Sequence, residues 1–102
     1  MDSDASQVTI VEWNWYFDND GDLRFAGFIR NDSSRPLAAA SPQFRLLNGD
    51  GKFVGAACTA RQFDSPLPAG ASGAFAFWEL VFGRDVAEVE SMGVIDVKFA
   101  EE

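Results

Sequence analysis

Hydrophobic and polar positions alternate from Val8 to Phe17, with Val11, Trp13, Trp15 and Phe17 on one face and Val8, Ile10 and Tyr16 with Glu12 and Asn14 on the other. A period of two is the mark of a β-strand. Asp18-Asn19-Asp20-Gly21-Asp22 breaks the alternation with residues that tolerate positive φ, and it resumes through Leu23, Phe25, Gly27 and Ile29 to Asn31, so the first two strands read as a hairpin. After the polar turn Asp32-Ser33-Ser34-Arg35-Pro36 the chain is extended from Leu37 to Leu47, with Pro42 marking a bulge or an edge position. Asn48-Gly49-Asp50-Gly51 is the strongest turn signal and leads into a strand from Lys52 to Ala57, a second hairpin. The pattern weakens between Thr59 and Leu67. A loop from Pro68 to Gly73 then precedes Ala74 to Phe82, a strand apolar on both faces. Asp85 and Glu88 have capping-box spacing, which predicts one helical turn within Arg84 to Ser91 before a closing strand from Val94 to Phe99.

Six or seven short strands at this spacing, joined by Gly, Asn, Asp and Pro turns, predict an all-β fold, a sandwich or small barrel rather than an α/β fold. The 102 residues suit one domain, spanning residues 8–100, with residues 1–7 as a flexible polar lead. Ten Phe and three Trp supply the apolar surface for a single core.

Charge and chemistry narrow the function classes. Eight Lys plus Arg against sixteen Asp plus Glu give a net charge of −8, a field that repels phosphate backbones and anionic lipid surfaces. Nucleic acid is therefore not an expected partner, and no apolar run is long enough for membrane insertion. There is no His and one Cys, which removes the usual general base, the usual zinc ligands and any intrachain disulfide. Cys58, in an apolar stretch, is expected as a small core residue. No catalytic site and no cofactor are implied. An enzyme built on two carboxylates is disfavoured, because most acids fall in turns or at the termini.

Two clusters carry binding chemistry. Asp18, Asp20 and Asp22 place three carboxylates in one turn, a density suited to calcium. Counting from Asp18, however, an EF-hand would need Gly and Glu where Leu23 and Ile29 stand, and hairpin turns need no metal to explain Asp. The aromatic residues are the second cluster. Trp13, Trp15 and Phe17 line one face of the first strand, most simply as core, with stacking on sugar rings as the alternative use of Trp13, Trp15 or Tyr16. The strand from Ala74 to Phe82 is apolar on both faces, so its second face needs a cover. Trp78, Leu80 and Phe82 are the resulting candidates for self-association or docking of a protein partner.

The run Phe25-Ala26-Gly27-Phe28-Ile29-Arg30-Asn31 resembles the apolar-x-Gly-x-apolar-x-Asn strand of the FxLYD family of bacterial and archaeal domains. Phe44-Arg45-Leu46-Leu47-Asn48 stands where that family has Phe-x-Leu-Tyr-Asp. Gly51-Lys52-Phe53-Val54-Gly55 stands where it has Gly-x-Val-Val-Gly, and Leu67-Pro68-Ala69-Gly70 with Phe75 looks like its Leu-x-Pro-Gly…Phe element. Leu47 and Asn48 depart from the motif Tyr and Asp but suit the same structural tasks. The resemblance implies an immunoglobulin-like β-sandwich in an envelope or secreted protein, a non-catalytic interaction or spacer module with no catalytic positions to carry over.

Overall fold

The computed structural model describes residues 7–80 and 85–100. Seven strands make up two antiparallel sheets: β1 (Val8–Phe17), β2 (Leu23–Asn31), β3 (Leu37–Leu47), β4 (Phe53–Cys58), β5 (Arg61–Leu67), β6 (Ser72–Glu79) and β7 (Glu88–Phe99). The first sheet has the order β1-β2-β6. In the second, β3 is central, with β7 along one side and β4 and β5 sharing the other: β4 pairs with Gln43 to Leu47 and β5 with Leu37 to Ala40. This is an immunoglobulin-like sandwich, in which β1, β2 and β6 take the places of strands A, B and E, and β3 and β7 those of C and F.

The core forms where the inner faces meet. Phe25 stacks on Phe44 at 4.9 Å and on Phe77 at 4.7 Å, and Trp13 closes on Phe44 at 4.8 Å. Leu23, Ile29, Leu37 and Leu46 are buried around these rings. Each aromatic pair adds about 1 kcal/mol to the stabilisation from burial alone.

Simple alternation misplaces half of β1. The register against β2 shifts between Val11 and Asn14, where Glu12 and Trp13 lie opposite the single residue Gly27 and Glu12 takes a φ of 52°. This β-bulge reverses the parity of the strand. Val8 and Ile10 therefore face inward together with Trp13 and Trp15, and Val11 joins Asn14 and Tyr16 on the outer face. Gly27 is what permits it: a Cβ there would stand 2.8 Å from Trp13 Cα, the close approach expected of a glycine inside a strand.

Three further expectations are corrected. Among the described residues there is no helical turn before the last strand. Asp85 to Ala87 carry no regular structure and β7 already begins at Glu88, because the C-terminal half of β3 offers an open ladder. Ala87 N–H donates to Leu47 O and Val89 is buried opposite Leu46, so tertiary pairing outweighs the capping signal. The weak segment before Leu67 holds a strand, β5, whose arginine Arg61 reaches across to Ala74 O at 2.8 Å and whose Phe63 covers Gly73. Cys58 is exposed, since Ala57 takes the buried position and the next residue must face outward. Pro42 does mark a bulge, seen as register shifts against β7, but in the central strand and not at an edge. The N-terminal lead, except Gln7, lies outside the described residues.

The strand directions sort the connections into two ends. The β2–β3 and β5–β6 connections share one end, and the β1–β2, β3–β4 and β6–β7 connections share the other. The two hairpin turns at this second end are built alike. Asp18 Oδ1 accepts the N–H groups of Asp20 and Asp22, and Asn48 Oδ1 accepts those of Asp50 and Lys52. Gly21 and Gly51 each supply the positive φ that closes the turn, at 85° and 78°.

Candidate functional site

The outer face of the first sheet follows from β2, where Leu23, Phe25, Gly27 and Ile29 point into the core, so that Arg24, Ala26, Phe28 and Arg30 must point out. Register with the flanking strands then sets side chains in cross-strand rows. Val11, Phe28 and Ala74 form one row, Asn14, Ala26 and Ala76 the next, and Tyr16, Arg24 and Trp78 the row nearest the hairpin turn. The middle row carries small residues, Ala26 and Ala76, between Phe28 on one side and the Tyr16–Trp78 row on the other.

Trp78 is 51% exposed and Leu80, beyond the end of β6, 56%. Tyr16, on the same face, is 55% exposed. Burying rings of this size on contact is worth about 1.5–3 kcal/mol each, so the face is a strong candidate for association. Phe17 and Phe53 add two more exposed rings at the same end of the sandwich. Phe28 had no place among the sequence candidates, although its signal was legible: it is a large apolar residue between core positions in a strand whose other face was already accounted for. Of the predicted interaction residues, Trp78 and Leu80 come together with Tyr16 at this end. Phe82 lies outside the described residues.

Trp13 and Trp15 are turned the other way. Trp13 lies on Phe44, and Trp15 packs against the core while meeting Phe17 edge-on at 5.7 Å. Neither offers a free stacking face on the outer surface of β1.

Arg24 sits between Tyr16 and Trp78, its guanidinium carbon 5.9 Å from the Trp78 ring centroid. Its Nε donates to Asp18 Oδ2 at 2.7 Å. The hydrogen bond from Arg24, helped by the backbone donors of Asp22 and Asp20, holds the Asp18 carboxyl below its ordinary value. The same contact raises the pKa of Arg24. Asp18 is thus spent on the turn and on Arg24. Asp20 and Asp22 contribute backbone N–H groups to it, and among the described residues no group of three or more His, Cys, Asp or Glu side chains is placed to hold a metal ion.

The electrostatic setting is one-sided. Asp18, Asp20, Asp22, Asp50, Asp85 and Glu88 all belong to the hairpin-turn end, where Arg24 and Lys52 are the described basic residues. No cavity indents the described surface, so recognition here takes place on an open face. Among the described residues no helix is long and apolar enough to cross a membrane. No protein-family model, curated protein or solved structure matches the chain.

Proposed function

We propose that this domain is a non-catalytic interaction module that docks a protein partner on the outer face of its first sheet. The observation that carries the proposal is the uncovered row Tyr16, Arg24 and Trp78 with Leu80 beside it, on a strand that is apolar on both faces. The resemblance to the FxLYD family supports reading such a module as part of a bacterial or archaeal envelope or secreted protein. Asn31, Gly27 and Asn48 serve the fold, as anchor, close approach and turn acceptor, which agrees with a module whose motif residues are architectural.

Selection of displayed random peptides against the domain, followed by binding to Trp78→Ser and Tyr16→Ser variants, tests the site. Peptides that bind the parent domain and lose the variants support it; peptides that bind all three alike move the function to another surface. A sugar-binding reading survives only through Tyr16 and Trp78, because Trp13 and Trp15 are turned inward. Retardation of the domain in gels containing soluble polysaccharide, abolished by Trp78→Ser, would favour that reading over protein docking.

A further inference from the structure

We infer that the partner docked on this face is a basic, extended polypeptide segment whose apolar side chains pack on the exposed Tyr16–Trp78 row while its cations meet the acidic hairpin-turn end. The inference rests on the interaction reading above and adds the chemistry of the occupant. Three observations lead to it. The apolar contact surface is local: Tyr16, Trp78 and Leu80 lie on or beside one cross-strand row, and the small residues Ala26, Ala74 and Ala76 on neighbouring rows leave it open to a flat-lying chain. The end of the sandwich beside that row is acidic: Asp20 and Asp22 lie in the β1–β2 turn next to Tyr16 and Arg24, and Asp50 lies in the β3–β4 turn at the same end of the second sheet. The chain as a whole carries −8, which opposes a second copy as occupant and attracts a cationic one.

Arg24 does not reverse this polarity. It is neutralised through Nε by Asp18 and lies against the Trp78 ring, so it presents the flat side of a paired guanidinium rather than a free cation. A partner therefore meets an apolar, locally neutral centre and a negative border. Apolar anchors set the affinity in such an arrangement, and the border sets rate and choice of partner.

The test uses the whole chain and a short dansyl-labelled peptide that alternates lysine with leucine, read by fluorescence anisotropy. Two analogues replace either the lysines or the leucines by serine. The lysine–leucine peptide is expected to bind at least about tenfold more tightly than either analogue. Trp78→Ser should weaken it about tenfold, and the triple change Asp20→Asn, Asp22→Asn and Asp50→Asn should weaken it severalfold and flatten its salt dependence. Asp64→Asn with Asp96→Asn, away from this end, should leave it unchanged. Melting temperatures close to the parent's show that each variant is folded.

Equal binding of the leucine-free analogue, or undiminished binding by Trp78→Ser, would overturn the inference by reducing it to bulk charge attraction. Equal binding of the lysine-free analogue would overturn the basic partner yet leave the docking face standing. If no peptide binds and the displayed-peptide selection also yields none that depend on Trp78, both readings fall together.

Discussion

The two ends of the sandwich are built on opposite plans. At the β2–β3 and β5–β6 end, Asn31 is fully buried and uses every polar atom of its side chain. Its Nδ2 donates to Arg35 O at 2.7 Å and Leu67 O at 2.9 Å, and its Oδ1 accepts from Ser33 N and Ser33 Oγ. Its backbone joins in, with Gly70 N–H donating to Asn31 O and Asn31 N–H to Ala71 O. At the hairpin-turn end each turn is closed by its own Asp or Asn, while Tyr16, Phe17, Phe53, Trp78 and Leu80 stay in water. One end fastens distant loops to each other through a single buried amide; the other keeps its loops independent and its apolar groups free. Buried anchoring and exposed apolar surface are thereby separated along the length of the strands. Asn31-Asp32-Ser33 also has the form of a glycosylation sequon, but the committed amide leaves no accessible acceptor.

Substitutions that should act at only one end put this separation at risk. Asn31→Ala removes the bond to Leu67 O and strands the buried Ser33 N–H, and should cost about 3 kcal/mol in urea unfolding; a loss below about 1 kcal/mol would show that the clamp is not what holds that end. At the other end, Asn48→Ala removes one turn acceptor and Gly51→Ala forces a side chain onto a φ of 78°, each for about 1 kcal/mol. The loss should leave the amide exchange protection of Asn31 and Ala71 unchanged, and a matching drop there would show that the ends are coupled. Trp78→Ser should shift stability by no more than about 0.5 kcal/mol while weakening binding of the lysine–leucine peptide about tenfold. A cost of several kcal/mol would make Trp78 a structural residue and undo the division.

The smallest effect concerns acid. Asp18 at one end and Asp32 at the other are both held below their ordinary value of 3.8, by hydrogen bonds from Arg24 and from Arg30 respectively, with Thr9 adding to the latter. A carboxylate whose folded value is depressed stabilises the fold above its unfolded value, and that stabilisation disappears as pH falls through the folded one. The urea midpoint should therefore hold steady down to about pH 4 and fall below it. Asp18→Asn and Asp32→Asn should each make the fall shallower; an unaltered pH profile in both would show that these exposed pairs contribute nothing measurable.

Much of the molecule is legible in consecutive residues. The limits of β1, β2 and β3 agree with the alternation, and Asp18-Asn19-Asp20-Gly21-Asp22 and Asn48-Gly49-Asp50-Gly51-Lys52 fold into matching turns because donor, acceptor and positive-φ glycine all lie within five positions. A glycine in mid-strand, Gly27, is where another part of the chain comes close, and Trp13 is what comes there. The site was half legible: an apolar second face on β6 pointed to Trp78 and Leu80, whereas the contributions of Tyr16 and Phe28 needed the register of β1 and β2 against it.

What the sequence alone determined, then, is the set of strands with strong alternation, the turns that satisfy their own backbone, and the chemistry the chain lacks. Tertiary structure decided the rest. β5 and the first half of β7 exist because β3 offers them a ladder, and the bulge at Glu12, not the alternation, settles which residues of β1 share a face with Trp13. The exposure of Cys58 and Trp78 was decided in the same way. Turn geometry is fixed by neighbours within a few bonds, whereas pairing and burial depend on what a remote part of the chain brings to the other side.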